Sequence, residues 1–110
     1  MKKMMLSLVL FVFIPLVLTA DPAKKVTLSY NDGKLKIVAD HPVKDLKKHY
    51  IDQIIISVDE KEVMVIKPTE QSTNQAETIE VVVTEIKPGS VVQVKTHCNE
   101  FGTKSAKLKL

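Results

Sequence analysis

From Val26 onward, apolar and polar residues alternate in short runs. Val26-Thr27-Leu28-Ser29-Tyr30 has the two-residue period of a strand with one buried face, Asn31-Asp32-Gly33 is a turn signal, and Leu35, Ile37 and Ala39 fall on one face of the next run. Together these segments predict a β-hairpin. Ile51 to Val58 and Val63 to Lys67 are two further β-branched runs, separated by the charged turn Asp59-Glu60-Lys61-Glu62. The polar stretch from Lys67 to Ala76, with Pro68 in it, reads as a long loop. Ile79, Val81 and Val83 then alternate with Glu80, Val82 and Thr84. After the turn Lys87-Pro88-Gly89-Ser90 come a strand from Val91 to His97 and a last one from Thr103 to Leu110, with Ala106, Leu108 and Leu110 on one side.

About seven short strands at roughly ten-residue spacing, with no sustained helical period, predict an all-β, immunoglobulin-like antiparallel sandwich. Asp45 to Tyr50 can form one helical turn but is too short for an independent helix.

The first 20 residues break this pattern. Met1-Lys2-Lys3, an apolar run from Met4 to Leu18, and Thr19-Ala20 before Asp21-Pro22 have the charged start, apolar middle and small-residue exit of a secretory signal peptide. The expected organisation is therefore a leader over 1–20, cut near Ala20, and one exported domain over 21–110, periplasmic or extracellular. The domain meets a membrane only if the leader is retained as an anchor, and a run of about 15 apolar residues interrupted by Pro15 is short for a span.

Charge changes the picture once the leader is set aside. The chain has a formal net charge of +3, but without Lys2 and Lys3 the remaining 14 lysines face 13 acidic residues, a balance of about +1. Arginine and tryptophan are absent, and only Tyr30, Tyr50 and Phe101 are aromatic after the leader. Phosphate forks and base-stacking platforms are missing, so nucleic acid is not an expected partner. Glycosidase and phosphoryl-transfer chemistry have no motif, since there is no glycine-rich loop and the carboxylates lie mainly on charged turns.

The candidate chemistry lies in three histidines and one cysteine. His41 and His49 bracket one loop, and His97-Cys98 ends the sixth predicted strand. Loops at one end of a sandwich are neighbours, so the segment after Ala39 and the segment after Cys98 can meet. A lone cysteine in an exported protein has no internal disulfide partner, and metal ligation would account for it, as would burial or pairing with another chain. His97 would point to the opposite face from Cys98 along a continuous strand. A catalytic thiol served by His49 or His97 would also need a base in hydrogen-bond reach and an oxyanion site, which the spacing does not reveal. Two histidines and a cysteine are also the core of a blue-copper site, but Phe101, Gly102 and Lys104 follow the cysteine where a further histidine and a methionine are usual, and Met64 lies elsewhere. The same three ligands plus water suit zinc.

His41-Pro42, then His49-Tyr50-Ile51 leading into Ile54-Ile55-Ile56, then Cys98-Asn99-Glu100-Phe101-Gly102, resembles the ferrous-iron domain of desulfoferrodoxin and superoxide reductase over roughly residues 26 to 110. The resemblance implies an immunoglobulin-like sandwich holding Fe(2+) by four equatorial histidines and an axial cysteine, with the sixth position open to superoxide. Residue by residue, His41 and His49 match two equatorial ligands, and Cys98 matches the axial thiolate on which catalysis depends. Phe101 stands where the family motif has a histidine, no histidine precedes His41, and the interval from His41 to His49 is a couple of residues longer than usual.

The resemblance thus implies an exported superoxide-reductase-like oxidoreductase with an incomplete ligand set, with superoxide and an unidentified electron donor as partners. Water or a carboxylate from Asp40, Asp45 or Glu100 would complete the shell. Lys44, Lys47 and Lys48 would either make the mouth of the site positive or form a solvated loop face. The alternative is a non-enzymatic sandwich module that binds a protein partner, as a similar sandwich subunit does in sulfur-carrier complexes.

Overall fold

The computed structural model describes residues 22–110, so the leader predicted over 1–20 lies outside the described residues. Seven antiparallel strands form two sheets: β1 (Lys25–Asn31), β2 (Lys34–Asp40) and β5 (Ala76–Val82) in one, and β4 (Lys61–Ile66), β3 (Ile51–Val58), β6 (Val91–Cys98) and β7 (Thr103–Lys109) in the other. Each sheet follows the spatial order just given.

Period-two patterning sets which faces meet. Leu35, Ile37 and Ala39 of β2, Ile54 and Ile56 of β3, and Val92 and Val94 of β6 are all buried, and they form one core with Ile51, Val58 and Cys98. Their neighbours Lys34, Lys36, Asp40 and Lys95 are exposed. A strand with such alternation has only one register that keeps its apolar set inside. The β1–β2 hairpin shows this: Leu28 pairs with Ile37 and Tyr30 with Leu35 around the two-residue turn Asp32-Gly33, both at positive φ, as the Asn-Asp-Gly signal predicts.

The β3–β4 turn is tighter than the charge run suggests. Val58 pairs with Lys61, and only Asp59 and Glu60 turn the chain, at φ of 50° and 70°. Lys61 and Glu62 are exposed strand residues instead. Asp59 is held in the left-handed region by β6: its N–H donates to Val91 O at 2.9 Å and its Oδ1 accepts from Val91 N at 3.0 Å.

One carboxylate is buried beside this apolar set. Glu77 of β5 sits opposite the fully buried Ala39, is 5% exposed, and its Oε1 accepts the Ser72 N–H at 2.8 Å. Burial raises its pKa above the ordinary value of 4.5, and the hydrogen bonds from Ser72 offset only part of that. A glutamate whose folded pKa lies above its unfolded one favours the native state most below the unfolded value, and that contribution is lost as pH rises through the folded value. Glu77→Gln keeps an acceptor for Ser72 and removes the charge. Chemical denaturation between pH 4 and 7 is expected to show the variant gaining stability on the wild type as pH rises; a constant difference would contradict the burial argument.

The segments that carry the candidate chemistry connect the sheets. Residues 41–50 run from the end of β2 to the start of β3, and residues 67–75 run back from β4 to β5.

Candidate metal centre

The end of β2 and the end of β6 meet at one edge of the sandwich. His41 follows directly on the last residue of β2, Cys98 is the last residue of β6, and Cys98 pairs with Ile51, the first residue of β3. His49 stands two positions before that strand.

His41 is 1% exposed and Cys98 0%, while the His49 side chain keeps 16% of its surface. One donor atom from each of these three residues lies within 4.8 Å of the other two. The two imidazole rings meet edge to face, with centroids 4.7 Å apart and planes at 85°. Neighbouring ligands of one ion, with bonds of about 2.0–2.3 Å, stand roughly 3–3.8 Å apart. The three donors are close enough to bind one metal ion after drawing together by up to about 1 Å.

Local structure holds each ligand. Asp45 starts the turn that carries His49: its carbonyl accepts from the Lys48 and His49 N–H groups, and its Oδ1 accepts from the Lys47 N–H at 3.0 Å. This is the single helical turn read from the sequence, and it ends there. Asn99 then fastens this turn to the cysteine loop. Its N–H donates to Tyr50 O at 3.0 Å, its Oδ1 accepts from Tyr50 N at 2.9 Å, and its Nδ2 donates to Lys48 O at 3.0 Å. Both neighbours of His49 in the chain are thus held by the residue after Cys98.

Gly102 closes the cysteine loop, accepting from Cys98 N at 2.9 Å with its φ at 101°. A Cβ there would come within 2.8 Å of the Pro22 ring, so both conformation and space call for glycine. Asn99→Ala should leave the core intact while freeing the Tyr50 and Lys48 backbone groups, at a cost of about 1–3 kcal/mol in stability. Amide hydrogen exchange should speed up at Tyr50 and Asn99 but not in the middle of β3; unchanged exchange at Tyr50 would show that Asn99 does not tie the loops.

The remaining predicted residues separate cleanly. His97 points away from the cluster: its Nδ1 lies 2.7 Å from Asp52 Oδ1, with the two side chains 43% and 33% exposed. Phe101 is 59% exposed and supplies nothing to the cluster. Glu100 Oε1 lies 3.9 Å from His49 Nδ1 on the solvent side. An open pocket beside the cluster is lined by Pro42, Val43, Lys44, Asp45, His49 and Glu100. Its lining carries one lysine against two carboxylates, and Lys47 and Lys48 are exposed outside it, so the lining itself is not electropositive. Asp40 pairs with Lys25 and Ala76 in the sheet.

One member of the site carries no sequence signal. Gln71 lies in a run of polar loop residues, yet it is 2% exposed and makes three side-chain hydrogen bonds, two of them to His41. Comparison with family models, with curated proteins and with solved structures finds no match for this chain.

Proposed function

We propose that this chain is an exported, divergent relative of the desulfoferrodoxin and superoxide-reductase iron domain, with His41, His49 and Cys98 holding one ferrous ion and superoxide as substrate. The observation that carries the reading is the convergence of two imidazoles and a thiol, from segments far apart in the chain, within 4.8 Å in a largely buried setting. They are the same three residues, in the same order, on which the sequence resemblance rests. The strand layout also supports an immunoglobulin-like sandwich. Relative to the constant-domain arrangement, the fourth strand is moved to pair with β3.

When bound, ferrous iron on a thiolate supplies one electron to superoxide, which with two protons leaves as hydrogen peroxide. The chain's own residues hold and shield that ion. Cys98 provides a soft anionic donor at a buried position, suited to iron, zinc or copper rather than to magnesium or calcium. His41 and His49 fix the ion from the loop side. The open pocket beside His49 is the route by which a small anion reaches the centre.

Iron is favoured over copper because the one methionine after the leader, Met64, pairs with Ile56 in mid-sheet, while Cys98 pairs with Ile51. Five positions along a strand separate the two by about 16 Å, which leaves no axial thioether.

A second reading, a non-enzymatic binding module, is favoured by His97 and Phe101. With three histidines in the whole chain and His97 turned to Asp52, the four-imidazole plane of the family cannot form. The two readings are separated by metal content and superoxide-consuming activity together. Protein purified anaerobically with ferrous salt is expected to hold about one iron per chain, and on oxidation to show the visible band of a ferric thiolate. Iron absent under those conditions, or a spectrum unchanged by oxidation, would remove the first reading. A bound ion with no superoxide-consuming activity would select the second.

A further inference from the structure

Gln71 controls which nitrogen His41 can offer. Its amide lies between three polar atoms: Nε2 is 2.7 Å from His41 O and 2.9 Å from Thr73 O, and Oε1 is 2.6 Å from His41 Nδ1. Turning the amide over would set its oxygen against two carbonyl oxygens at those same short distances, with no proton between them. Two carbonyls therefore fix the amide orientation. An amide oxygen can only accept, so His41 Nδ1 must carry the proton.

A neutral imidazole with a protonated Nδ1 has its lone pair on Nε2. The backbone of the same residue reinforces the arrangement, because Gln71 N–H donates to Leu46 O at 3.0 Å. Gln71 thus holds the loop 41–49 at its start and its middle, and nine-tenths or more of its surface is removed from water.

We infer that Gln71 is a positioning residue that locks His41 in the Nδ1–H tautomer and thereby presents Nε2, and only Nε2, to a transition-metal ion shared with His49 and Cys98. The metal half of this inference rests on the centre proposed above; the tautomer half does not. Hydrogen bonds from the far nitrogen of a ligating histidine orient the ring and raise its donor strength, and losing such a partner commonly weakens metal binding about 10–100-fold. A backbone carbonyl or carboxylate usually fills this role, whereas here a side-chain amide does, itself aligned by two carbonyls.

The test uses the purified protein with Co(2+) as the probe, under reducing conditions that keep Cys98 a thiol. Nitrogen-15 NMR of the metal-free protein should show His41 with a protonated Nδ1 and a lone pair on Nε2. Gln71→Met, similar in volume but unable to accept, should release the tautomer preference and raise the Co(2+) dissociation constant about 10–100-fold. Gln71→Glu keeps an acceptor for Nδ1 but loses both donor bonds to the His41 and Thr73 carbonyls, so it should keep the Nδ1–H tautomer at a cost in stability. An Nε2–H tautomer in the wild type overturns the inference, as does a folded Gln71→Met protein with unchanged tautomer and affinity. Should Gln71→Met fail to fold, the wild-type tautomer decides.

The two ideas fail separately. If wild type and Cys98→Ala bind Co(2+) equally poorly while His41 shows the Nδ1–H form, the metal centre falls and the tautomer lock stands. If Cys98→Ala loses a site that the wild type has, and His41 proves to be Nε2–H, the reverse holds.

Discussion

Cys98→Ala is expected to abolish high-affinity metal binding while leaving the sandwich folded. Cys98 is the one cysteine of the chain, fully buried at the end of β6, so no other thiolate can take its place. Removing it leaves two neutral imidazoles to hold the ion, on a loop whose carboxylates are exposed. Since losing a mere hydrogen-bond partner of a ligand costs about 10–100-fold, losing the only charged ligand should cost more than about 100-fold in affinity. The cost to folding is small by comparison, because deleting one buried sulfur leaves a cavity smaller than those that cost 2–5 kcal/mol. Cobalt titration followed by the thiolate-to-metal absorption band checks the first claim and thermal unfolding of the metal-free protein the second. A variant that retains wild-type cobalt affinity would show that the cysteine is a core residue and nothing more.

Ile54→Ala is expected to damage the fold severely. Ile54 is fully buried in β3, the strand between β4 and β6, and it pairs with Ile66 on one side and Thr96 on the other. Truncation of such a residue costs about 2–5 kcal/mol. A domain of this size has about 5–15 kcal/mol in total, so a large share of the margin goes. With a shift of about 4–8 °C per kcal/mol, the melting temperature should fall by roughly 8–40 °C. Val65→Ala is the control: Val65 pairs with Ile55, the residue next to Ile54, but is 39% exposed, and should cost less than about 1 kcal/mol. Equal losses from the two would mean that the faces of this sheet have been assigned the wrong way round.

The strands were legible because a buried face imposes a two-residue period on whatever occupies it. Leu35, Ile37 and Ala39 all fall in the core as the pattern requires. The turns were less so, because their residues answer to backbone conformation: the chain reverses at Asp59 and Glu60, and no glycine marks the positive φ of either. The clustering of His41, His49 and Cys98 followed from residue type and from the closeness of loops at one end of a sandwich. Gln71 did not, since a polar residue in a polar loop has the same local sequence whether it faces water or three buried partners. Only the tertiary structure, which brings residues 41 and 71 together where β2 ends beside the start of β5, separates those cases. Of the two readings of the loop lysines, the geometry favours the solvated face: Lys47 and Lys48 are exposed outside the pocket, and Asp45 and Glu100 share its rim with Lys44.

His41 belongs to the end of one sheet and Cys98 to the end of the other, with 56 chain positions between them. Neither sheet alone supplies all three candidate donors. Occupancy of the proposed centre would therefore be coupled to closure of the sandwich, and a bound ion would act as a rivet across the seam, resisting separation of the layers with the logarithm of the free metal concentration. Under the export reading, the cargo is acquired at the destination, and the metal supply of that compartment, rather than that of the cytoplasm, decides which element fills the centre.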